Sequence, residues 1–236
     1  MKRKDIIILM GFALLILLLQ QCKKDDPRID TVDYSYFPLE TGRYIIYDIE
    51  EINVDVIAGY YDTLCYTIKE IITDTFYDME NRLSYRVERY KRTNDSAGWE
   101  IKDVWYANYT ATTAERTEEN IRYIKLAFPV ELNKTWDGDA YNTLDPYDEY
   151  EYEITALDVP DTVNEVYFDS VLTVLQKDRE SLIDKYYAVE KYAKNIGMIY
   201  KKDMEIYSQT ITGDPIEERI ERGTIFTQKI VSYGSE

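Results

Sequence analysis

Side chains able to do chemistry are few in kind. The chain of 236 residues has no histidine. That removes Ser-His-Asp and Cys-His triads, imidazole metal ligands and the usual general base. Carboxylates remain, with 45 Asp and Glu. Two of them hydrolyse a glycoside when they stand roughly 5 Å or 6.5–9.5 Å apart across a groove. In so acidic a chain some pair always meets that distance. Tyr150-Glu151-Tyr152-Glu153 therefore reads first as a two-faced strand. Asp137-Gly138-Asp139-Ala140-Tyr141-Asn142-Thr143-Leu144-Asp145 gathers oxygens of the kind calcium takes. It lacks the glycine and glutamate positions of an EF-hand, so an acid-solvated turn is the simpler reading, and neither metal nor cofactor is expected. Trp99, Trp105 and Trp136, with Tyr106 and Tyr109, could form a platform for sugar rings, whose CH faces stack on aromatics. The competing reading packs the same rings into a core.

There are two thiols, Cys22 and Cys65. Cys65 lies in the strand-like run Tyr61–Ile68 and reads as a small buried apolar residue rather than a nucleophile. Cys22 differs. It follows a basic start, Met1-Lys2-Arg3-Lys4, and an unbroken apolar run from Ile6 to Leu19. That is the layout of a secretory signal peptide. As a helix the run spans about 21 Å, short of the roughly 30 Å hydrocarbon core. Leu19-Gln20-Gln21-Cys22 resembles a lipobox, although Gln21 stands where a small residue is usual. The expectation is cleavage before Cys22, acyl chains such as palmitate on its thiol, and membrane attachment through them. Lys23-Lys24-Asp25-Asp26-Pro27 reads as a tether and resembles the surface-export signals of Bacteroidota lipoproteins.

The segments beyond the tether read as strands. Ile45, Tyr47 and Ile49 share one parity; Ile52, Val54 and Val56 share the other. The change at Glu50-Glu51 predicts a β-bulge. Tyr66–Thr73, Leu83–Val87, Trp99–Trp105, Ile121–Phe128, Tyr150–Ile154, Val166–Gln176, Tyr186–Tyr192, Ile196–Tyr200 and Gly223–Tyr233 alternate between Asn/Asp/Gly turns. Residues 110–119 read as a polar break, and 133–147 as a loop-rich stretch. The run Arg86–Arg92 is expected to pair with acids across strands. No amphipathic helix of useful length is legible. The prediction is a mainly β fold, an antiparallel meander forming a curved sheet or half-barrel. It divides into a signal peptide over 1–21, a lipidated cysteine and tether over 22–33, and one domain over 34–236.

Composition sets limits. A net charge of −17 argues against nucleic acid and anionic lipid headgroups. The 24 tyrosines suit a sheet with one wet face. A single thiol beyond Cys22 allows no internal disulfide.

Tyr36-Phe37-Pro38-Leu39-Glu40-Thr41-Gly42 resembles the YFPL-x-x-G opening of uncharacterised Bacteroidota envelope lipoproteins. Asn195-Ile196-Gly197-Met198-Ile199-Tyr200 and Ile230-Val231-Ser232-Tyr233 match later elements of that group. The resemblance implies a curved sheet of the kind seen in lipoprotein carriers, and no activity. The functional expectation is a non-enzymatic lipoprotein anchored at the outer membrane, a structural or interaction module with an envelope protein as partner. A module binding glycan or lipid is the first alternative, and a carboxylate-dependent hydrolase the second.

Overall fold

Side chains that alternate inward and outward turn nearly every segment of this chain into a strand. The computed structural model describes residues 32–142 and 151–236. The signal segment, Cys22, the tether to residue 31, and Thr143, Leu144 and Asp145 of the acidic loop lie outside the described residues.

Twelve strands follow one another: β1 (Arg43–Asp55), β2 (Tyr60–Tyr77), β3 (Leu83–Arg92), β4 (Glu100–Tyr109), β5 (Thr113–Glu118), β6 (Ile121–Ala127), β7 (Thr135–Asp137), β8 (Glu151–Val163), β9 (Val166–Glu180), β10 (Asp184–Ala193), β11 (Gly197–Tyr207) and β12 (Arg222–Ser235). A single 3₁₀ turn, Ile216–Glu218, is the helical element described after Val32. All pairings are antiparallel, in the order β6-β5-β4-β3-β2-β1-β12-β11-β10-β9-β8-β7. The first and last strands pair along their whole length, from Arg43↔Ser235 to Asp55↔Arg222. The two sheet edges therefore come from mid-chain, β6 and β7.

Those edges meet. Ile124 N–H donates to the Gly138 carbonyl at 2.9 Å. Trp136 Nε1 donates to the Ile124 carbonyl at 2.9 Å, and its ring packs edge-on against Tyr152. The curved sheet expected from the sequence thus closes nearly to a barrel, which leaves little unpaired edge. Gly138 makes the contact possible, because a Cβ there would sit 2.2 Å from Tyr152 Cε2.

One end of the interior is apolar and stoppered. Tyr47, Ile68, Leu126, Leu172, Ile199 and Ile230 are fully buried there. Residues 34–39 fill what remains. Tyr36 and Phe37 are buried in the same core. Tyr36 Oη donates to Asp158 Oδ1 at 2.6 Å, and Tyr109 Oη donates to the Phe37 carbonyl at 2.6 Å while accepting Leu39 N–H at 2.8 Å. The β8–β9 hairpin bends through three register shifts. Its tip lies against other strands, with Asp161 paired to Lys191 at 2.6 Å and Asn164 donating to the Ile230 carbonyl at 3.3 Å. Outward positions such as Asp48, Glu50, Arg86 and Lys102 are exposed and charged, unlike the apolar belt of a membrane-spanning barrel.

Three expectations need correction. The parity change at Glu50-Glu51 is not a bulge. The irregularity in β1 falls at Ile46/Tyr47, and β1 pairs with β2 without interruption. Ile52 lies opposite Ile225, which packs on a second apolar cluster of Met204, Ile206 and Ile216. The outer face has become buried there, so the apolar residues change side while the strand runs on. The polar break at 110–119 is in fact strand β5, with Ala114 to Thr117 all buried. Its charges are paired. Glu115 accepts from Arg82 at 3.1 Å and Arg122 at 2.8 Å, and Arg116 donates to Glu70 at 2.6 Å. Cys65 is exposed, not buried. It sits in the outer half of β2, where the pattern from Tyr60 to Cys65 is exposed throughout.

Gly138→Ala should lower stability by about 1–3 kcal/mol, the usual cost of forcing extra volume into a packed site. Urea unfolding measures this; an unchanged midpoint would mean the β6–β7 seam does not depend on the close contact.

Candidate functional site: the charged mouth of the barrel

Away from the stopper the inward face changes character. Strand parity that delivers Ile68 and Ile72 to the interior also delivers Glu70; the parity of Ala188 and Tyr192 delivers Glu190; that of Ile199 delivers Lys201. Charges enter the barrel because the pleat points them there, and each must find a partner.

They do so in one continuous network. Glu70 accepts from Arg89 Nε at 2.9 Å and Arg116 Nη2 at 2.6 Å. Arg89 also reaches Asp103 at 2.8 Å. Arg116 lies 3.6 Å from Glu118. Lys125 joins Glu118 at 3.0 Å to Glu190 at 2.9 Å, and Lys201 approaches the same two acids at 3.9 and 3.6 Å. Tyr192 Oη donates to Glu190. Four acids and four bases alternate from β4 across to β10 and β11, so the network carries no net charge.

The titration of these groups follows the pairing. Burial alone would raise the Glu118 carboxyl; Lys125, then Lys201 and Arg116, outweigh it and hold it well below the usual range. Burial likewise opposes Glu190, and Lys125 and Lys201 lower it. Glu70 is lowered against its burial by Arg116 and Arg89. Asp203 goes the other way: burial raises it, and Lys201 and Lys177 only partly compensate.

The network borders a cavity of about 230 Å³ at the open end, where Lys125, Lys201, Asp203, Gln176, Tyr123 and Tyr152 line the wall. Under the stopper, by contrast, only about 80 Å³ is left. The apolar interior that a half-barrel would offer a lipid is filled by the chain's own residues 34–39.

The five aromatics picked out from the sequence do not share one wall. Trp105 faces inward, with the Arg89 guanidinium 3.6 Å and that of Arg116 4.7 Å from its ring centroid. Tyr106, the next residue, packs on Phe76 instead. Tyr109 joins Tyr34 and Phe37 at the stopper. Trp136 closes the seam. Trp99 stacks on Arg92 at 4.7 Å beside the β3–β4 turn. Of the Arg86–Arg92 run, Arg89 bridges β2 and β4 as expected, while Arg86 pairs with Glu88 within its own strand. In the acidic loop Asp137 accepts Asp139 N–H at 2.9 Å and Asp139 accepts Asn142 Nδ2 at 3.0 Å. Among the described residues no three His, Cys, Asp or Glu side chains are grouped to hold a metal ion.

No family model and no curated protein matches the chain. A solved structure resembles it: a Bacteroides fragilis protein inferred to be exported, with a YmcC-like fold. Identity is 10%, the TM-score is 0.42, and the alignment covers 83% of this chain and 98% of that one.

Two outcomes follow from the network. Glu70→Ala should cost about 3 kcal/mol, since it takes from two buried guanidinium groups the carboxylate they share and leaves Arg116 only Glu118 at 3.6 Å. Guanidinium-chloride unfolding reads this, and a cost under about 1 kcal/mol, that of an exposed pair, would contradict it. Glu70, Glu118 and Glu190 titrate lower folded than unfolded, so their contribution is complete above the unfolded value of 4.5 and is lost as pH falls through their folded values. Urea midpoints should therefore drop progressively on acidification below that value; a flat profile would show the three acids uncoupled from folding.

Proposed function

We propose that the chain is a lipid-anchored, non-enzymatic binding protein of the bacterial cell envelope. Residues 1–21 direct export, acyl chains on Cys22 hold the protein at the outer membrane, and the barrel takes up a ligand at its open end. One observation carries binding over pure scaffolding: the stopper closes one end, while the other keeps a polar cavity of about 230 Å³. Attachment rests on the apolar run that ends just before Cys22. Val32 packs against the stoppered core. Exposed charge on the outer face fits a barrel that stands in water beside the membrane.

One observation favours a second reading, a carboxylate hydrolase. Asp203 is raised and Glu118 lowered on the wall of one cavity, and such a split is how an acid and a base are set apart. Glu118, however, is engaged by Lys125 at 3.0 Å. A carboxylate spent on an ion pair is a poor nucleophile or base, and binding is the better account.

Radiolabelled palmitate should enter the wild-type protein and not Cys22→Ser; equal labelling of the two would exclude that thiol as the anchor. Purified protein should release no reducing sugar from oligosaccharides, and release abolished by Asp203→Asn would transfer the mouth to the hydrolase reading.

A further inference from the structure

The cavity at the mouth contains polar atoms that the fold leaves unsatisfied. Gln176 is 6% exposed, and its Nε2 has no hydrogen-bond partner in the protein. Asp203 Oδ1, on the same wall, also has none. A buried donor or acceptor left unmade costs about 1–3 kcal/mol, so each is a liability unless something fills the site.

Backbone geometry aims Gln176 there. Ala188 pairs with Lys177 and Val189 with Leu175, so Gln176 is the extra residue of a β-bulge in β9. Bulges re-aim single side chains and gather beside binding sites. The lining is also balanced in charge: Glu118, Asp139 and Asp203 stand against Lys125, Lys177 and Lys201. Lys125 is held by Glu118 and Glu190, and Lys177 contacts Glu205 at 3.1 Å. No single-sign field draws an ion. What is offered instead is an amide donor, a carboxyl acceptor and the aromatic rings of Tyr123 and Tyr152.

A donor, an acceptor and a ring face are the requirements of a hydroxyl-rich ring with apolar CH faces. The volume lies below the roughly 300–1,000 Å³ of pockets for drug-sized ligands, which limits the occupant to about one ring. We propose that this cavity binds a single neutral sugar residue, with Gln176 Nε2 donating to one hydroxyl, Asp203 accepting from another and Tyr123 covering a CH face. The inference rests on the barrel being a binding module and names what it binds.

Full-length protein in a detergent without a sugar headgroup is titrated calorimetrically with D-glucose, N-acetyl-D-glucosamine and, separately, inorganic phosphate. One saturable sugar site is expected. Gln176→Leu and Asp203→Asn should each weaken it about tenfold or more, while thermal unfolding shows both variants folded, and Asp203→Asn at least as stable as wild type at neutral pH. Sugar binding that survives both substitutions would place the site elsewhere and overturn the proposal. Phosphate binding that both substitutions weaken, without sugar binding, would overturn the sugar while leaving a binding module. If no probe binds and both variants only gain stability, the cavity holds water alone and both readings fall.

Discussion

Everything inside the barrel depends on neutralising charge that the strand pleat drives inward. Glu70 sits between two guanidinium groups, and Glu118 and Glu190 share two lysines. Removing one member leaves its neighbours short of compensation in a medium that solvates ions poorly. The network also decides the direction of the interior. Apolar residues and the stopper crowd one end, paired ions occupy the middle, and the larger space lies beyond them. A sheet lined by leucine and valine would have closed on itself throughout.

The mouth shows the opposite economy. Gln176 and Asp203 each leave an atom without a partner, whereas the charges a few residues away are paired with one another. Folds tolerate such local deficits where a site must stay ready for something else. The contrast separates two groups of buried polar residues: the network finds its partners among its own members, and the cavity wall keeps an amide and a carboxyl atom free for the ligand proposed above.

Much of the architecture was legible in the sequence. Period-two alternation gave the meander, and Asn/Asp/Gly clusters gave the turns at 78–81 and 93–98. Strand β5 was not legible, because its inward and outward faces are both charged and the rule that polar means exposed fails when every charge has a partner. The parity change in β1 was visible but misattributed, since sequence alone does not show that residues far along the chain cover the outer face. Cys65 illustrates the reverse error: an apolar type in an alternating run that extends past the barrel. The aromatic platform failed because rings close in sequence point to opposite sides of a strand. The network could have been found by one signal, a charged residue at inward parity among apolar ones, as in Ile68-Lys69-Glu70-Ile71-Ile72 and Val189-Glu190-Lys191-Tyr192.

The pairing of β1 with β12 has a consequence for how the molecule comes into being. β1 lies early in the sequence, yet one of its two neighbours is β12, more than 160 residues further on. No partial chain can complete the ring, and contacts between such distant segments form slowly. Until β12 has formed, β1 lacks one of its two neighbours, and the ring stays open however well the hairpins between them have paired.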